Sequence, residues 1–255
     1  MRVIGLCGRK RSGKDTVASL LGEYGFVRVA FADRLRYLTS LIFDVDQALM
    51  EQDDTKEKTI GASSEPHWWA EASERAIVHS ALLYSMFRGH QPTIHPLDHL
   101  RTVMAVLRTD FPGGVSPRRL LQYMGTEWGR TLQGDIWVSW ALACIEALTR
   151  GEQVYDRRRG QVLEASLTAP VGVMVSDVRF ENEVRAIQEV SVVSRGLPRE
   201  VWWIDAEKRL PPWTPEHASE PDPSVFSKLT NTVVNNNGTI DALRETVQGL
   251  VRRTG

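Results

Sequence analysis

The chain has 255 residues, of which 42% are hydrophobic and 25% are charged, the composition of an ordinary globular protein. Its formal net charge of -1 excludes a global basic field for nucleic acid, and no apolar run is long enough to span a membrane. The two cysteines, Cys7 and Cys144, lie in apolar segments, which is typical of buried thiols in a reducing compartment. We therefore predict a cytoplasmic protein with neither a nucleic-acid nor a membrane partner.

Residues 8–16, Gly-Arg-Lys-Arg-Ser-Gly-Lys-Asp-Thr, have the spacing of a phosphate-binding loop between an apolar strand and a helical pattern. Glycines let the backbone curl so that successive N–H groups point at one spot, and the helix N-terminus adds partial positive charge. Lys14 would bring a full positive charge to the β- and γ-phosphates of a nucleotide. The residues expected to bind the nucleotide are Gly8, Arg11, Ser12, Gly13, Lys14, Asp15 and Thr16.

The loop departs from the strict GxxxxGK[ST] pattern at its last position, where Asp15 replaces a hydroxyl residue. That hydroxyl normally holds Mg²⁺, but a carboxylate can also hold the ion, directly or through water. We therefore expect Asp15 and the adjacent Thr16 to serve Mg²⁺. A glycine-rich turn without any ligand is the alternative.

Short apolar strands and helical patterns alternate along the chain. Strands are expected at 3–7, 26–31, 171–175, 201–205 and 232–234, with a long helical region between the second and the third. Alternation of this kind predicts an α/β fold: a parallel five-stranded P-loop kinase sheet with helices on both faces and a helical insertion.

Several segments carry more specific expectations. Asp33 is expected to begin and cap the helix after the second strand, and Ser116 to cap a helix that begins at Pro117. Residues 44–65 have the composition of a mobile surface loop, and 150–161 that of a solvated basic loop. Ile77, Ala81 and Tyr84 are expected to share one face of a helix over 68–88, and the helix after Ser116 is expected to have a core face of Leu120, Met124, Trp128 and Leu132.

The whole chain, 1–255, is expected to form a single P-loop kinase domain. Within it, 33–165 would be the helical insertion that binds substrate. The proline-rich stretch 206–230 shows little periodicity, which favours a functional loop or lid.

Polar residues follow several of the predicted strands, and ligands of parallel sheets bind at the carboxyl ends of strands. Asp177 would orient Mg²⁺ or its waters, and Arg179 would bridge phosphates on the same rim. An Asp–Arg pair that caps a helix is the alternative. A kinase also needs a second anion site, for which the candidates are Arg36, Arg119, Arg130 and Arg179.

The chain resembles the bacteriophage deoxynucleoside monophosphate kinases, within the nucleoside monophosphate kinase-like P-loop group. The resemblance lies in short stretches spread over most of the chain: Lys10–Thr16, Phe31–Arg36, Arg118–Glu127 with Trp137, Asp177–Arg179 with Glu183, His217–Glu220 and Asn236–Thr239. Three positions depart from the family pattern: Arg34 stands for a proline, Arg36 for a lysine and Asn237 for an acid.

The resemblance implies transfer of a phosphoryl group from ATP, with Mg²⁺, to a deoxynucleoside monophosphate in the cytoplasm of an infected host cell. The expected catalytic residues are Lys14, Arg130, Asp177 and Arg179, of which Arg130 comes from the search for a second anion site and not from the resemblance. The implied substrate contacts are Lys10, Arg36, Arg119, Gln122, Gly125, Thr126, Trp137, Asp177, Arg179 and Glu183. The preferred base stays open, as does the oligomeric state, with a homodimer as one option.

Two other functions stay open at this point. Phosphomevalonate kinases also resemble the Gly13-Lys14-Asp15 loop and the element at 31–36, so the acceptor need not be a nucleotide. An ATP-binding switch that transfers no phosphate is the third reading. The arginines away from the loop argue against it, because a switch needs no second anion site.

Overall fold

The protein was analysed as a computed structural model that describes residues 1–52, 54–87, 90–150, 154–163, 170–189, 199–214 and 221–253. Its central feature is a five-stranded parallel sheet with the order β2-β5-β1-β6-β7. These strands are β1 (Arg2–Cys7), β2 (Phe26–Val29), β5 (Gly172–Val178), β6 (Arg199–Asp205) and β7 (Thr232–Asn235). The predicted α/β class and the five parallel strands are confirmed.

Eleven α-helices are described alongside the strands. They are α1 (Lys14–Glu23), α2 (Phe31–Phe43), α3 (Gln47–Glu51), α4 (Pro66–Val78), α5 (Ser80–Ser85), α6 (Pro96–Asp110), α7 (Pro117–Gln122), α8 (Ile136–Thr149), α9 (Glu181–Glu189), α10 (Pro223–Leu229) and α11 (Ile240–Arg252). Short 3₁₀ turns span Gly61–Ser64 and Glu207–Arg209, and a π-helical segment spans Tyr123–Arg130. Within the described residues, no helix combines the length and the apolar composition that crossing a membrane requires.

Helices cover both faces of the sheet. Because successive side chains of a strand point to opposite faces, neighbouring strand residues show which helix packs on which face. Ile4 and Trp202 belong to the buried cluster formed with α1 and α11. On the opposite face, Gly5 leaves room for α9, since a Cβ there would lie 2.7 Å from Ile187 Cδ1. Trp203 packs on this second face against Phe226 of α10, with ring centroids 6.5 Å apart.

The chain divides into two compact units. The first comprises 1–31, 141–157 and 161–255, and it contains the sheet. The second comprises 32–140 and 158–160. Its core is aromatic: Phe43 stacks on Trp68 with centroids 5.6 Å apart, and Trp68 meets Trp69 edge-on at 4.9 Å. Burial of such large rings supplies much of the stability available to a helical unit.

The start of α2 differs from the prediction. The helix begins at Phe31 rather than Asp33, because the Asp177 carboxylate accepts the Phe31 N–H at 2.8 Å and supplies the cap from another strand. Asp33 is the third residue of the helix and is buried, where it accepts a hydrogen bond from Arg36. The predicted Asp33 cap is therefore wrong.

Two segments predicted as loops contain regular structure. Residues 44–65 include α3, which Asp46 caps by accepting the Ala48 N–H at 2.9 Å, and a 3₁₀ turn. Residues 150–161 contain the start of an antiparallel hairpin of β3 (Val154–Asp156) and β4 (Gln161–Leu163). In both segments, hydrogen bonds to neighbouring residues outweigh a polar composition that favours a loop.

The expected single helix over 68–88, with one shared face, is also wrong. The segment is two helices, α4 and α5, and Ile77 and Tyr84 are 51% and 40% exposed. Because α4 ends at Val78, residues on either side of that break do not share one helical face. The buried residues within α4 and α5 are Trp68, Trp69, Ala72, Ala76 and Leu83.

The helix after Ser116 was predicted correctly in its start and its buried face. The Ser116 hydroxyl accepts the Arg119 N–H at 3.3 Å, and Leu120, Met124, Trp128 and Leu132 are all buried. After Gln122, however, the helix widens into the π-helical segment. Within the stretch expected to be a lid, 206–230, the structure describes one 3₁₀ turn and α10, while 215–220, including His217, lies outside the described residues.

Candidate functional site

The loop between β1 and α1 has a tightly curled backbone. Gly13 has a φ of 96°, and a Cβ at this position would lie 2.1 Å from Asn236 Nδ2, so only glycine fits. Arg11 has a φ of 63°, a left-handed conformation that is uncommon outside glycine. Such strain concentrates at binding sites, where the surrounding structure holds it in place. We call residues 8–16 the glycine loop.

Lys14 lies at the end of the glycine loop and folds back over it. Its Nζ donates to the carbonyl oxygens of Gly8 and Arg9 at 2.6 and 2.7 Å. Burial, followed by the positive charge of Arg179, lowers the pKa of Lys14 to about 8. The Asp15 and Asp177 carboxylates act in the opposite direction. A bound anion would stabilise the charged form of Lys14, because its hydrogen-bond partners are neutral carbonyls and Arg179 nearby is a second cation.

Asp177 and Arg179 lie at the carboxyl end of β5, next to β1 in the sheet. Asp177 Oδ1 holds the first N–H of α2, and the Arg179 side chain is exposed to solvent. The effect of Arg179 on the pKa of Lys14 means that the two cations lie within electrostatic reach of each other. In the first unit, two cations and one carboxylate therefore lie at the carboxyl ends of β1 and β5.

Glu183 caps helix α9. Its Oε2 accepts the backbone N–H groups of Arg179 and Phe180 at 2.7 and 3.1 Å, and the residue is buried. A glutamate in the first turn of a helix commonly satisfies the free N–H groups in this way. Its predicted contact with substrate stays a prediction.

Asp15 lies in the first turn of α1 and has a cationic partner that the sequence did not reveal. Its Oδ1 accepts a hydrogen bond from Arg28 Nη2 at 2.5 Å, and Arg28 Nε donates to Ser176 Oγ at 3.0 Å. The Asp15 side chain nevertheless remains 84% exposed. The carboxylate is thus partly neutralised by strand β2 but accessible from solvent.

The residues fit Mg²⁺ only as an ion that arrives with phosphates. Among the described residues, no cluster of three histidine, cysteine or carboxylate side chains could hold a metal by itself. Mg²⁺ in nucleotide sites, however, needs only one or two protein oxygens, since phosphates and waters supply the rest. Asp15, Thr16 and Asp177 are the oxygen donors that the first unit offers.

A buried asparagine supports the glycine loop from the turn between β7 and α11. Asn236 Nδ2 donates to the Ser12 carbonyl at 2.8 Å, while its own N–H donates to the Asp205 carbonyl at 2.6 Å. From the sequence, Asn236 was placed only in the stretch Asn236–Thr239 that carries the family resemblance, with no contact to the glycine loop. The signal that could have revealed it is the run of three asparagines before Gly238, since asparagine side chains bond readily to nearby backbone.

The second unit carries the remaining candidates, several of which already have partners. Arg36 Nη1 pairs with Asp33 at 2.7 Å, and Arg119 Nη1 donates to Gln122 Oε1 at 3.2 Å. Trp137 is buried and its Nε1 donates to the Gly125 carbonyl at 2.9 Å. The remaining candidates of this unit are Thr126, which is exposed, and Arg130, which is half-buried.

The π-helical segment contains Gly125, Thr126 and Arg130, all predicted substrate or catalytic residues. Trp137 packs so closely against this segment that a Cβ at Gly129 would lie 2.5 Å from its ring. Single π-helical turns are frequent at functional sites, because they redirect side chains away from a regular helical face.

The structure thus brings together only part of the predicted set. The first unit contains the glycine loop, with Lys10, Asp15 and Thr16, as well as Asp177, Arg179 and Glu183. The second unit contains Arg36, Arg119, Gln122, Gly125, Thr126, Arg130 and Trp137. No family model matches the chain, and no curated protein matches it.

Proposed function

We propose that the chain catalyses ATP-dependent phosphorylation of deoxynucleoside monophosphates to diphosphates. The observation that supports this most strongly is the placement of Asp177 and Arg179 at the carboxyl end of β5, beside the strand β1 that leads into the glycine loop and Lys14. Phosphoryl transfer requires positioning and neutralisation of charge more than covalent chemistry, and these are the groups it uses.

Each residue has a distinct part in this proposal. The N–H groups of the glycine loop and the Lys14 ammonium hold the β- and γ-phosphates of ATP. The Arg179 guanidinium contacts the transferring phosphoryl group, and its hydrogen bonds strengthen as negative charge shifts in the transition state. Mg²⁺, when bound with the nucleotide, would neutralise phosphate charge, with Asp15, Thr16 and Asp177 as its protein oxygen donors.

The acceptor is assigned from the sequence resemblance together with the cations of the second unit. Arg36 and Arg119 are each held by a neighbouring side chain, which restricts their rotamers before an anion binds. Thr126 and Arg130 lie on the π-helical segment. These features together are accounted for by a role in deoxynucleotide biosynthesis. The enzyme would be cytoplasmic and, by its resemblance, phage-encoded.

A coupled assay of ADP release tests the proposal. The purified full chain would be supplied with ATP, Mg²⁺ and, in separate reactions, each deoxynucleoside monophosphate or phosphomevalonate. We expect release with at least one deoxynucleoside monophosphate and none with phosphomevalonate, and Lys14→Ala should abolish it. Release with phosphomevalonate alone would identify another small-molecule kinase, and binding of ATP without release for any acceptor would indicate a switch.

A further inference from the structure

Three side chains of the second unit meet where α6 ends and the π-helical segment begins. Asp110 is the last residue of α6 and Phe111 follows it, while Tyr123 is the first residue of the π-helical segment. The Phe111 and Tyr123 rings meet edge-on with centroids 6.0 Å apart, and Tyr123 Oη donates to Asp110 Oδ2 at 3.0 Å. We call Asp110, Phe111 and Tyr123 the aromatic patch. None of the three is among the residues assigned a substrate contact above.

The aromatic patch adjoins two residues that are assigned to the acceptor. The Arg119 guanidinium lies over the Phe111 ring, 5.4 Å from its centroid, and Arg119 Nη1 donates to Gln122 Oε1 at 3.2 Å. Gln122 directly precedes Tyr123 in the chain. A monophosphate that contacts Arg119 and Gln122 would therefore have its base close to the patch.

The aromatic patch is accessible to a ligand. Asp110 is exposed, and Phe111 and Tyr123 are half-buried. Aromatic rings that keep some exposed surface offer a planar base a face or an edge to pack on.

Asp110 lies where a carboxylate does not help the fold. The C-terminal end of a helix carries partial negative charge, so an aspartate as the last residue of α6 opposes the helix dipole. Burial, followed by the hydrogen bond to Asp110, raises the pKa of Tyr123, so its hydroxyl stays protonated at neutral pH and keeps donating to the carboxylate. Residues that break a local rule of stability are expected mainly at functional sites.

The carboxylate of Asp110 distinguishes among the four bases. An ionised carboxylate only accepts hydrogen bonds, and its two oxygens can accept two adjacent donors at once. Of the four bases, guanine offers such a pair, its ring N–H beside its exocyclic amino group. Adenine and cytosine have an acceptor nitrogen beside their amino group, and thymine has its ring N–H between two carbonyl oxygens, which a carboxylate repels.

We propose that Asp110 and Tyr123 determine the base specificity of the acceptor site, and that the preferred acceptor is deoxyguanosine monophosphate. The base donates two hydrogen bonds to the Asp110 carboxylate and packs against the rings of the aromatic patch, while Tyr123 Oη holds the carboxylate in place. This proposal rests on the proposed kinase activity, because it names the acceptor of that reaction.

The rate of ADP release with each acceptor tests the proposal. The acceptors are the four deoxynucleoside monophosphates and deoxyinosine monophosphate, which differs from deoxyguanosine monophosphate only by lacking the exocyclic amino group. In the unmodified protein, kcat/KM should be highest for deoxyguanosine monophosphate. It should be about tenfold lower for deoxyinosine monophosphate, because one of the two paired hydrogen bonds is lost.

Three variants locate the effect. Asp110→Asn replaces an acceptor oxygen with a donor and should raise the KM for deoxyguanosine monophosphate about tenfold, while the KM for deoxythymidine monophosphate changes little. Tyr123→Phe keeps the ring but releases the carboxylate, and should raise the same KM about threefold. Asp98→Asn is the matched control and should change neither KM, since Asp98 is an exposed carboxylate of the same helix that pairs with Arg101 at 2.8 Å.

Calorimetric titration of the full chain with deoxyguanosine monophosphate separates a failure of this proposal from a failure of the proposed activity. If no acceptor is phosphorylated, the kinase assignment fails, and weaker binding to Asp110→Asn than to the unmodified protein still supports the base site. Any of four results would overturn the proposal: no binding of deoxyguanosine monophosphate, equal use of the four monophosphates, equal use of deoxyinosine monophosphate, or affinity and KM that Asp110→Asn leaves unchanged.

Discussion

At the scale of single residues, Lys14 links the electrostatics of the site to a pH dependence. Burial and the charge of Arg179 lower its pKa from 10.5 to about 8 in the ligand-free protein. Bound phosphate should favour the charged form, so the pKa of Lys14 should be higher in the ATP complex. Affinity for ATP should therefore be constant below about pH 8 and fall by up to tenfold per pH unit above it.

Binding of ATP measured from pH 6.5 to pH 9.5 would check this dependence, with Lys14→Arg as the control because arginine stays charged over that range. The same depressed pKa has a consequence for the ligand-free fold. Between about pH 8 and 10.5 the unfolded chain binds more protons at Lys14, so the free energy of unfolding should gain from this group as pH rises. An ATP affinity that does not change through pH 8 in the unmodified protein would contradict the assignment of Lys14.

Arg179 should act on the transition state more than on ATP binding. Arg179→Lys keeps the charge but loses the two-pronged hydrogen-bonding geometry, so kcat should fall roughly tenfold or more while the Kd for ATP changes little. The cap of α9 uses the backbone N–H of Arg179, not its side chain, to reach Glu183 at 2.7 Å. Tm should therefore stay the same, and an unchanged kcat would remove Arg179 from the catalytic residues.

The pairing of Asp15 with Arg28 makes a prediction about Mg²⁺. If the ion and Arg28 share one carboxylate, Asp15→Asn should raise the Mg²⁺ concentration for half-maximal activity and lower kcat, whereas Arg28→Gln should reduce that concentration several-fold. Titration of activity with Mg²⁺ in both variants measures this. Identical titration curves for Asp15→Asn and the unmodified protein would show that the carboxylate serves only the ion pair.

Residue-level predictions from sequence succeeded where local spacing carries the information. The Ser116 cap is such a case, since cap and helix lie within a few residues. Arg28 was missed because its partner Asp15 precedes it by 13 positions, and only the placement of β2 brings the two together. The contact of Asn236 with the glycine loop was missed for the same reason, since its partner Ser12 is 224 positions away.

At the scale of elements, the turn between β7 and α11 should control the shape of the glycine loop. Asn236→Ala would leave the buried Ser12 carbonyl without its side-chain donor, a loss worth about 1–3 kcal/mol. We expect ATP affinity to fall several-fold or more, with a small decrease in Tm. Asn235→Ala, in the same turn but exposed and not bonded to the loop, is the matched control.

Equal effects of the two substitutions on ATP binding would show that Asn236 is not specific to the loop.

At this scale the sequence predicted strands better than helix faces. Each sheet strand is a short apolar run with few ways to pack, whereas the break after Val78 divided a helical pattern whose periodicity looked continuous. The π-helical turns after Gln122 likewise leave no sign in a pattern of buried residues four positions apart.

At the scale of the whole molecule, the parallel sheet could be predicted because strands and helices alternate along the chain. The strand order could not. Strand β5 lies between β1 and β2 because Gly172 pairs with Arg2, 170 positions earlier, and with Phe26, 146 positions earlier, and no local pattern encodes such pairings. That order is what places Asp177 and Arg179 beside the glycine loop. The candidate site therefore depends on the long-range topology as much as on its motifs.

The most direct test of the central proposal is to follow the γ-phosphoryl group of labelled ATP. The full chain, ATP labelled at the γ-phosphate, Mg²⁺ and a mixture of the four deoxynucleoside monophosphates would be incubated and the products separated by chromatography. We predict that label appears in at least one deoxynucleoside diphosphate, and that folded Lys14→Ala produces none. Label that stays on ATP, or passes only to water, would contradict the proposed kinase.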